Sequence, residues 1–319
     1  MRAGYREVGS LDRMRRLALI ANPMASGFTA ALHRDVMQIL GRTHDVTAVW
    51  PTGPGEARAA AARAASEQYD VVAAMGGDGV AHQAANGVLG TPTALGVVPA
   101  GTTNVLRRIL HLPPKARDAA EAIAEAEGSR PLRVAAVTGD ERLDDRHFVA
   151  TFAVGIGLDA EIIRESERRP LRKVGFGALH YARSATKVAV SGHRHRLPYL
   201  RVRSGNRWAD AVAVLVQVHD TLTYLGRYPL RVGSGSGLTA VVVERATPTR
   251  LIRVVAGALR GGDVSRIRGV HVWQDIDSIS VDADPPGWFE ADGELLGTTT
   301  TLQVEASPHR LLVVDTVSR

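Results

Sequence analysis

The stretch VVAAMGGDGVAHQAANGVLG, Val71 to Gly90, runs from an apolar strand through a glycine-rich turn into a helix. A turn that only reverses the chain needs one glycine or an Asn-Gly pair. Here Gly76 to Gly79 holds three glycines and one carboxylate, Asp78. Three missing Cβ atoms let backbone N–H groups approach a ligand closely. The following helix aims its positive end at the same spot, which suits a phosphate.

The same rhythm continues on both sides. LALIAN, from Leu17, reads as a buried strand, and GFTAALHRDVMQIL sets Phe28, Leu32, Val36, Ile39 and Leu40 on one helical face. DVTAVW is a second strand, followed by an alanine-rich helix begun by Pro54; DVVAAM and ALGVVP are the third and fourth strands. Strands alternating with helices imply parallel βαβ units with right-handed crossovers. Near Pro131 the texture changes to valine-rich strands separated by Gly, Asp, Ser and Pro turns, an antiparallel pattern with one helical interruption over about residues 164–190. The expected architecture is an α/β domain with a parallel sheet over residues 14–134 and an antiparallel all-β domain over 135–304. The last segment, 305–319, holds the strand HRLLVVDTV, which could complete the first sheet or pair with the second domain.

Composition sets bounds. The 319 residues are 45% hydrophobic and 23% charged, ordinary for a globular chain long enough for two domains. A net charge of +6 suits an anionic partner: nucleic acid, a phosphorylated small molecule or an acidic lipid surface. The absence of cysteine excludes disulfides, thiolate metal sites and a cysteine nucleophile. The apolar run near the N-terminus is too short for a signal-peptide core, and no window has the length of a membrane span. The chain is expected to be cytoplasmic, or peripheral on a membrane surface.

Three loops follow strand ends in the first domain: ANPMASG (Ala21 to Gly27), GGDG, and PAGTTN (Pro99 to Asn104). In an open α/β sheet these carboxyl ends face one crevice, where ligands bind. Each loop alone is an ordinary turn. Together, with hydroxyls at Ser26, Thr52 and Thr102, they point to a phosphate or nucleotide site. Neither G-x-G-x-x-G after a strand nor the Walker motif is present, so positive charge must come from elsewhere in the chain or from a metal. Asp78 cannot itself bind phosphate; its expected use, in an exposed loop, is to face Mg²⁺ beside the phosphates.

The order NP…SG, GGDG, P-x-G-T-x-N resembles the diacylglycerol kinase catalytic family, lipid kinases that include sphingosine and ceramide kinases and share a fold with NAD kinases. The resemblance implies that residues 14–134 are an α/β nucleotide domain and residues 135–304 an antiparallel β-sandwich for the lipid substrate. FAVGIGLDAEII (Phe152 to Ile163) is similar to the family's G-x-G-x-D-A turn, and FEADGELLG (Phe289 to Gly297) to its C-terminal D-G-E. The resemblance implies that Asn22, Pro23, Ser26, Gly27, Thr52, Gly76, Gly77, Asp78, Gly79, Gly101, Thr102 and Asn104 surround ATP with Mg²⁺. It implies Glu294 and Asp292 across the cleft beside the acceptor hydroxyl, Glu294 as base and Asp292 holding a metal-bound water. In isolation D-G-E reads as a hairpin turn.

The chain departs from the family pattern at Val80 and Gln83, where a hydroxyl and a carboxylate are usual, and at Ser236-Gly237, where an acidic structural-magnesium segment ends in Asp-Gly. The basic stretch Arg164 to Arg196 reads either as a solvated helix or as a surface for anionic lipid headgroups. With aromatics only 5% of the chain, nucleic acid ranks last among the anionic partners. The leading expectation is an ATP-dependent lipid kinase acting on a diacylglycerol-like or long-chain lipid. The alternatives are a kinase for a soluble substrate such as NAD and a catalytically weakened lipid- or nucleotide-binding module. A homodimer is compatible with either activity.

Overall fold

Strand β1 (Arg15–Ala21) shows why the first domain folds as it does: Leu17 to Ala21 are all buried, so both of its faces are covered. That is the mark of a central parallel strand. The computed structural model describes residues 14–53, 55–140, 148–167, 197–225, 228–232, 236–261 and 263–316. The elements that follow β1 are α1 (Ala30–Leu40), β2 (His44–Val49), α2 (Glu56–Ser66), β3 (Val71–Gly76), α3 (Asp78–Val88), β4 (Ala94–Pro99), α4 (Val105–Ile109), α5 (Ala116–Glu125) and β5 (Ser129–Leu132). Leu17, Leu19 and Ala21 pack with Val36, Ile39 and Leu40 of α1 and Ile123 of α5. Ala18 and Ile20 face the opposite way, towards α2 and α3.

The alanine-rich composition of α2 has a packing cause. A Cβ on Gly87 of α3 would lie 2.5 Å from the Ala61 Cβ and from the Arg58 carbonyl oxygen. Only small side chains permit that approach. The sheet order is β2-β1-β3-β4-β18-β5, where β18 (Leu311–Val314) returns from the far end of the chain, parallel to β4 and antiparallel to β5.

The second domain contains β6 (Ala135–Gly139), β7 (Phe148–Ala150), β8 (Ala153–Gly157), α6 (Leu158–Glu167), β9 (Leu200–Ser204), β10 (Arg207–Ala211) and β11 (Ala213–Gln217). It continues with β12 (Thr223–Leu225), β13 (Tyr228–Leu230), β14 (Leu238–Val243), α7 (Pro248–Leu259), β15 (Val270–Ile276), β16 (Ser278–Ala291) and β17 (Glu294–Ala306). Ten of these strands form one antiparallel sheet, running β15-β14-β11-β8-β16-β17-β6-β7 with β9 and β10 joined on at β16. Alternate residues from all ten enter a single core that includes Val154, Leu200, Val242, Trp273, Phe289 and Leu302. The fold is thus a parallel α/β domain followed by an antiparallel β domain.

One sequence expectation needs correction. The segment HFVATFAV forms two strands, β7 and β8, because the N–H groups of Thr151 and Phe152 leave the ladder for a side-chain carboxylate described below. The β domain has a helix, α7, beyond the single interruption expected. Thr247 caps it by accepting from the Arg250 N–H, Pro248 opens its first turn, and Leu251, Val254 and Ala258 pack inward. Pro54 and most of the basic stretch, 168–196, lie outside the described residues. Among the described residues no helix is long and apolar enough to cross a membrane.

Candidate active site

The three glycine loops meet. The Asn22 N–H donates to the Met75 carbonyl at 2.9 Å, the Gly27 N–H to Ala100 at 2.8 Å, and the Ala100 N–H to Gly76 at 2.8 Å. A Cβ on Gly101 would lie 2.6 Å from the Gly77 Cα, so the loops after β3 and β4 touch backbone to backbone. Gly27 and Gly101 are therefore glycines for a shared reason, close approach of main chains. Asn22 accepts from the Met24 N–H through Oδ1 at 2.9 Å, fixing the turn in which Pro23 and Ser26 stand exposed. Thr102 is exposed at the tip of its loop. Asn104, in the left-handed region at φ 48°, donates through Nδ2 to the Gly101 carbonyl at 2.7 Å, and its Oδ1 is buried without a partner.

Thr52 lies on the same carboxyl edge, but its hydroxyl and N–H both donate to the Glu56 carboxylate at the start of α2, the N–H at 2.6 Å. The departures have local settings. Val80 belongs to the core beneath the loop, 2.9 Å from where a Gly76 Cβ would stand, and Gln83 Oε1 is buried without a partner. At the Ser236-Gly237 departure, the Asp275 carboxylate accepts from both residues.

Asp78 is not the exposed loop carboxylate expected from the sequence. It opens α3 and accepts from the Leu106 N–H, at the start of α4, at 3.2 Å. Desolvation pushes its carboxyl up to about 6, against the pull of the Val105 and Leu106 N–H groups and Arg108. A raised folded value means that the protonated form stabilises the fold, and this contribution is lost as pH rises from about 4 to about 6. Asp78→Asn, which keeps an acceptor for Leu106, should be as stable as the wild type or more so at pH 7, by up to about 3 kcal/mol. Its urea midpoint should also lose the fall between those two pH values. A variant less stable than wild type at pH 7 with that fall intact would contradict the desolvation reading.

Arg107 and Arg108 follow the PAGTTN loop on α4, and neither was singled out from the sequence. Both interact electrostatically with Asp78, and Arg108 lies over the Tyr224 ring of the β domain at 4.3 Å. Each has a buried Nε without a partner. They supply positive charge that the loops lack, and their position directly after a glycine loop was the available signal.

The opposite wall is the hairpin β16–β17. Its two-residue turn, Asp292-Gly293, has φ of 55° and 83°, the paired positive values of a type I′ turn. The Asp292 carboxylate is buried and accepts five hydrogen bonds. Oδ2 takes His82 Nδ1 at 2.9 Å, the Thr151 N–H at 2.7 Å and the Thr151 hydroxyl at 2.8 Å; Oδ1 takes the N–H groups of Phe152 and Ala153. Burial raises its pKa, but the His82 and backbone bonds outweigh that and hold it below the ordinary carboxylate value. With both oxygens occupied, Asp292 does not reach for a substrate proton or a metal-bound water. It ties the hairpin to α3. Nearby, the Asn86 side chain bonds both the N–H and the carbonyl of Val149, a second tie between the domains.

The G-x-G-x-D-A turn backs this hairpin. A Cβ on Gly155 would lie 2.6 Å from Asp159 Oδ2 and 2.7 Å from Glu290 Oε1. Burial and the adjoining Asp159 carboxyl push fully buried Glu290 well up, and it accepts from the Gly293 N–H at 2.7 Å. The turn is thus gripped from both sides, and Glu294 projects beyond it. Half-buried, its carboxylate packs against Gly79 where a Cβ would otherwise stand.

The site is defined by glycine loops at the carboxyl edge of a parallel sheet, faced by the Glu294 carboxylate of an antiparallel domain. Comparison with known proteins shows what the chain is similar to. Residues 16–137 match the model of the diacylglycerol kinase catalytic domain. A diacylglycerol kinase of Staphylococcus haemolyticus is 25% identical over 271 residues, 82% of this chain and 77% of that protein. One from Staphylococcus saprophyticus is 40% identical over 78 residues, a match spanning 24% of this chain and 26% of that protein. In fold, the chain is similar to a diacylglycerol kinase from Bacillus anthracis str. Sterne, at 20% identity and TM-score 0.65 over 94% of this chain and 96% of that one. It is also similar in fold to an NAD kinase from Archaeoglobus fulgidus in complex with ATP, at 10% identity and TM-score 0.52 over 94% of each. The family model shows the likeness to diacylglycerol kinases over the first domain, and the solved structures show a likeness of fold alone over both domains.

Proposed function

We propose that this protein is an ATP-dependent lipid kinase that transfers the γ-phosphate to the hydroxyl of a diacylglycerol-like or long-chain lipid. One observation carries the reading: the Glu294 carboxylate, from the β domain, packs on Gly79 of the GGDG turn. A carboxylate brought to a phosphate-binding turn by a separate domain suits an acceptor that enters between the two. Glu294 takes the hydroxyl proton as the oxygen attacks the γ-phosphorus, and ADP leaves from the glycine loops. Arg107 and Arg108 offset phosphate charge from α4.

Among the described residues no three His, Asp or Glu side chains meet as a metal cluster, so a cation would be held chiefly by the nucleotide. Asp78, desolvated and pushed up to about 6, is the carboxyl of the GGDG turn that Mg²⁺ nearby would favour in its charged form. When bound, that ion would spread the charge of the β- and γ-phosphate oxygens. The net charge of +6 favours an acceptor presented on an anionic membrane surface.

The test is transfer of label from γ-labelled Mg-ATP to a panel of lipid alcohols and to NAD. Label in a lipid phosphate is the expected result. Label in NAD alone would select the soluble-substrate reading. ATP binding with no transfer to any lipid alcohol would select the weakened binding module.

A further inference from the structure

The nucleotide-domain rim carries an aromatic group that phosphate binding does not use. Trp50 directly follows β2 at the carboxyl edge and is 45% exposed. Of the large hydrophobic side chains exposed among the described residues 14–134, namely Met14, Met24 and Trp50, the last two stand on this edge. Trp50 is held in place. The His33 ring lies against it at 4.3 Å between centroids, and Phe28 meets it edge-on at 5.8 Å and 86°. Desolvation lowers the His33 pKa, so a neutral imidazole backs the indole at pH 7. Phe28 directly follows Gly27, so the aromatic group continues the Asn22–Gly27 loop without a break.

Direction follows from sheet order. Glu294 marks the acceptor end over Gly79, on the α3 side of β3. Along the sheet, β1 and then β2 lie beside β3, so β2 stands two strand spacings from the GGDG turn. That is about 10 Å. A nucleoside triphosphate with its γ-phosphate at the acceptor end extends its base away from the lipid. The β2 end of the rim offers an indole there. Indole faces stack on bases, and an exposed tryptophan held by its neighbours loses little freedom in doing so.

We propose that Trp50 is the platform on which the purine base of the nucleoside triphosphate stacks. The proposal rests on the nucleotide reading given above and names its base subsite. It predicts that the site distinguishes ATP from a polyphosphate without a base, and that this distinction resides in Trp50.

The test titrates wild-type protein, Trp50→Ala and Trp50→Phe with Mg-ATP and with magnesium tripolyphosphate by calorimetry. Wild type should bind ATP more tightly than tripolyphosphate. Trp50→Ala should lose about 10-fold or more in ATP affinity while tripolyphosphate affinity stays the same, and Trp50→Phe should keep most of the wild-type preference. Unchanged ATP affinity in Trp50→Ala would overturn the platform and leave the nucleotide reading standing. An equal loss for both ligands would also overturn it, since the effect would then run through the loop. Wild-type protein that binds neither ligand would overturn the nucleotide reading and the platform with it.

Discussion

Glu294→Gln is expected to lower kcat by about 10²- to 10⁴-fold while changing ATP affinity little. The amide keeps the shape of the side chain beside Gly79 but cannot accept the lipid proton. The nucleotide is held by loops of the other domain, so its binding does not depend on that proton. The loss should fall on turnover at saturating lipid and ATP, with KM for ATP within a few-fold of wild type. Wild-type turnover in this variant would remove Glu294 from catalysis.

Asp292→Asn is expected to act on the fold first. The carboxylate accepts five hydrogen bonds in a buried setting, and one of its oxygens would become an NH₂ facing N–H donors. Either orientation leaves buried donors unpaired, a loss of about 3–5 kcal/mol. That is a large part of the stability of an ordinary domain. Backbone strain is not the cause, because Asn tolerates the left-handed conformation of the turn. The depressed Asp292 pKa also sets a pH signature. Its contribution is complete above the unfolded carboxylate value of 3.8 and is lost as pH falls below it. Urea unfolding of wild type should weaken below about pH 4 through this group, and the variant should lack that part of the fall. Stability within 1 kcal/mol of wild type would mean that the five bonds contribute little.

These two neighbours show what the sequence could reveal. The βαβ alternation and the strand-end glycines were legible because period and punctuation are local properties. So was the Asp-Gly hairpin, and the resemblance marked its carboxylates. The division of labour between Asp292 and Glu294 was not legible, since the partners of Asp292 lie 139 to 210 residues away in sequence. The same holds for Asp78, whose Leu106 partner is 28 residues on. Thr52 was more open to reading, because its partner Glu56 stands only four residues on. Helix α7 was hidden because Val and Ile at helical spacing also suit a strand.

The contact between Glu294 and Gly79 carries the functional reading, and a double-variant kcat measurement tests it most directly. Gly79 sits in helical backbone, so Gly79→Ala disturbs no left-handed conformation; its new methyl meets only the end of the flexible Glu294 side chain. It should displace the carboxylate and lower kcat with little change in stability. Combined with Glu294→Gln, it should add almost nothing, because both changes remove the same interaction. The expected result is a double variant no slower than the slower single one. Losses that multiply, or a Gly79→Ala enzyme with wild-type kcat, would contradict the claim that Glu294 works at the GGDG turn.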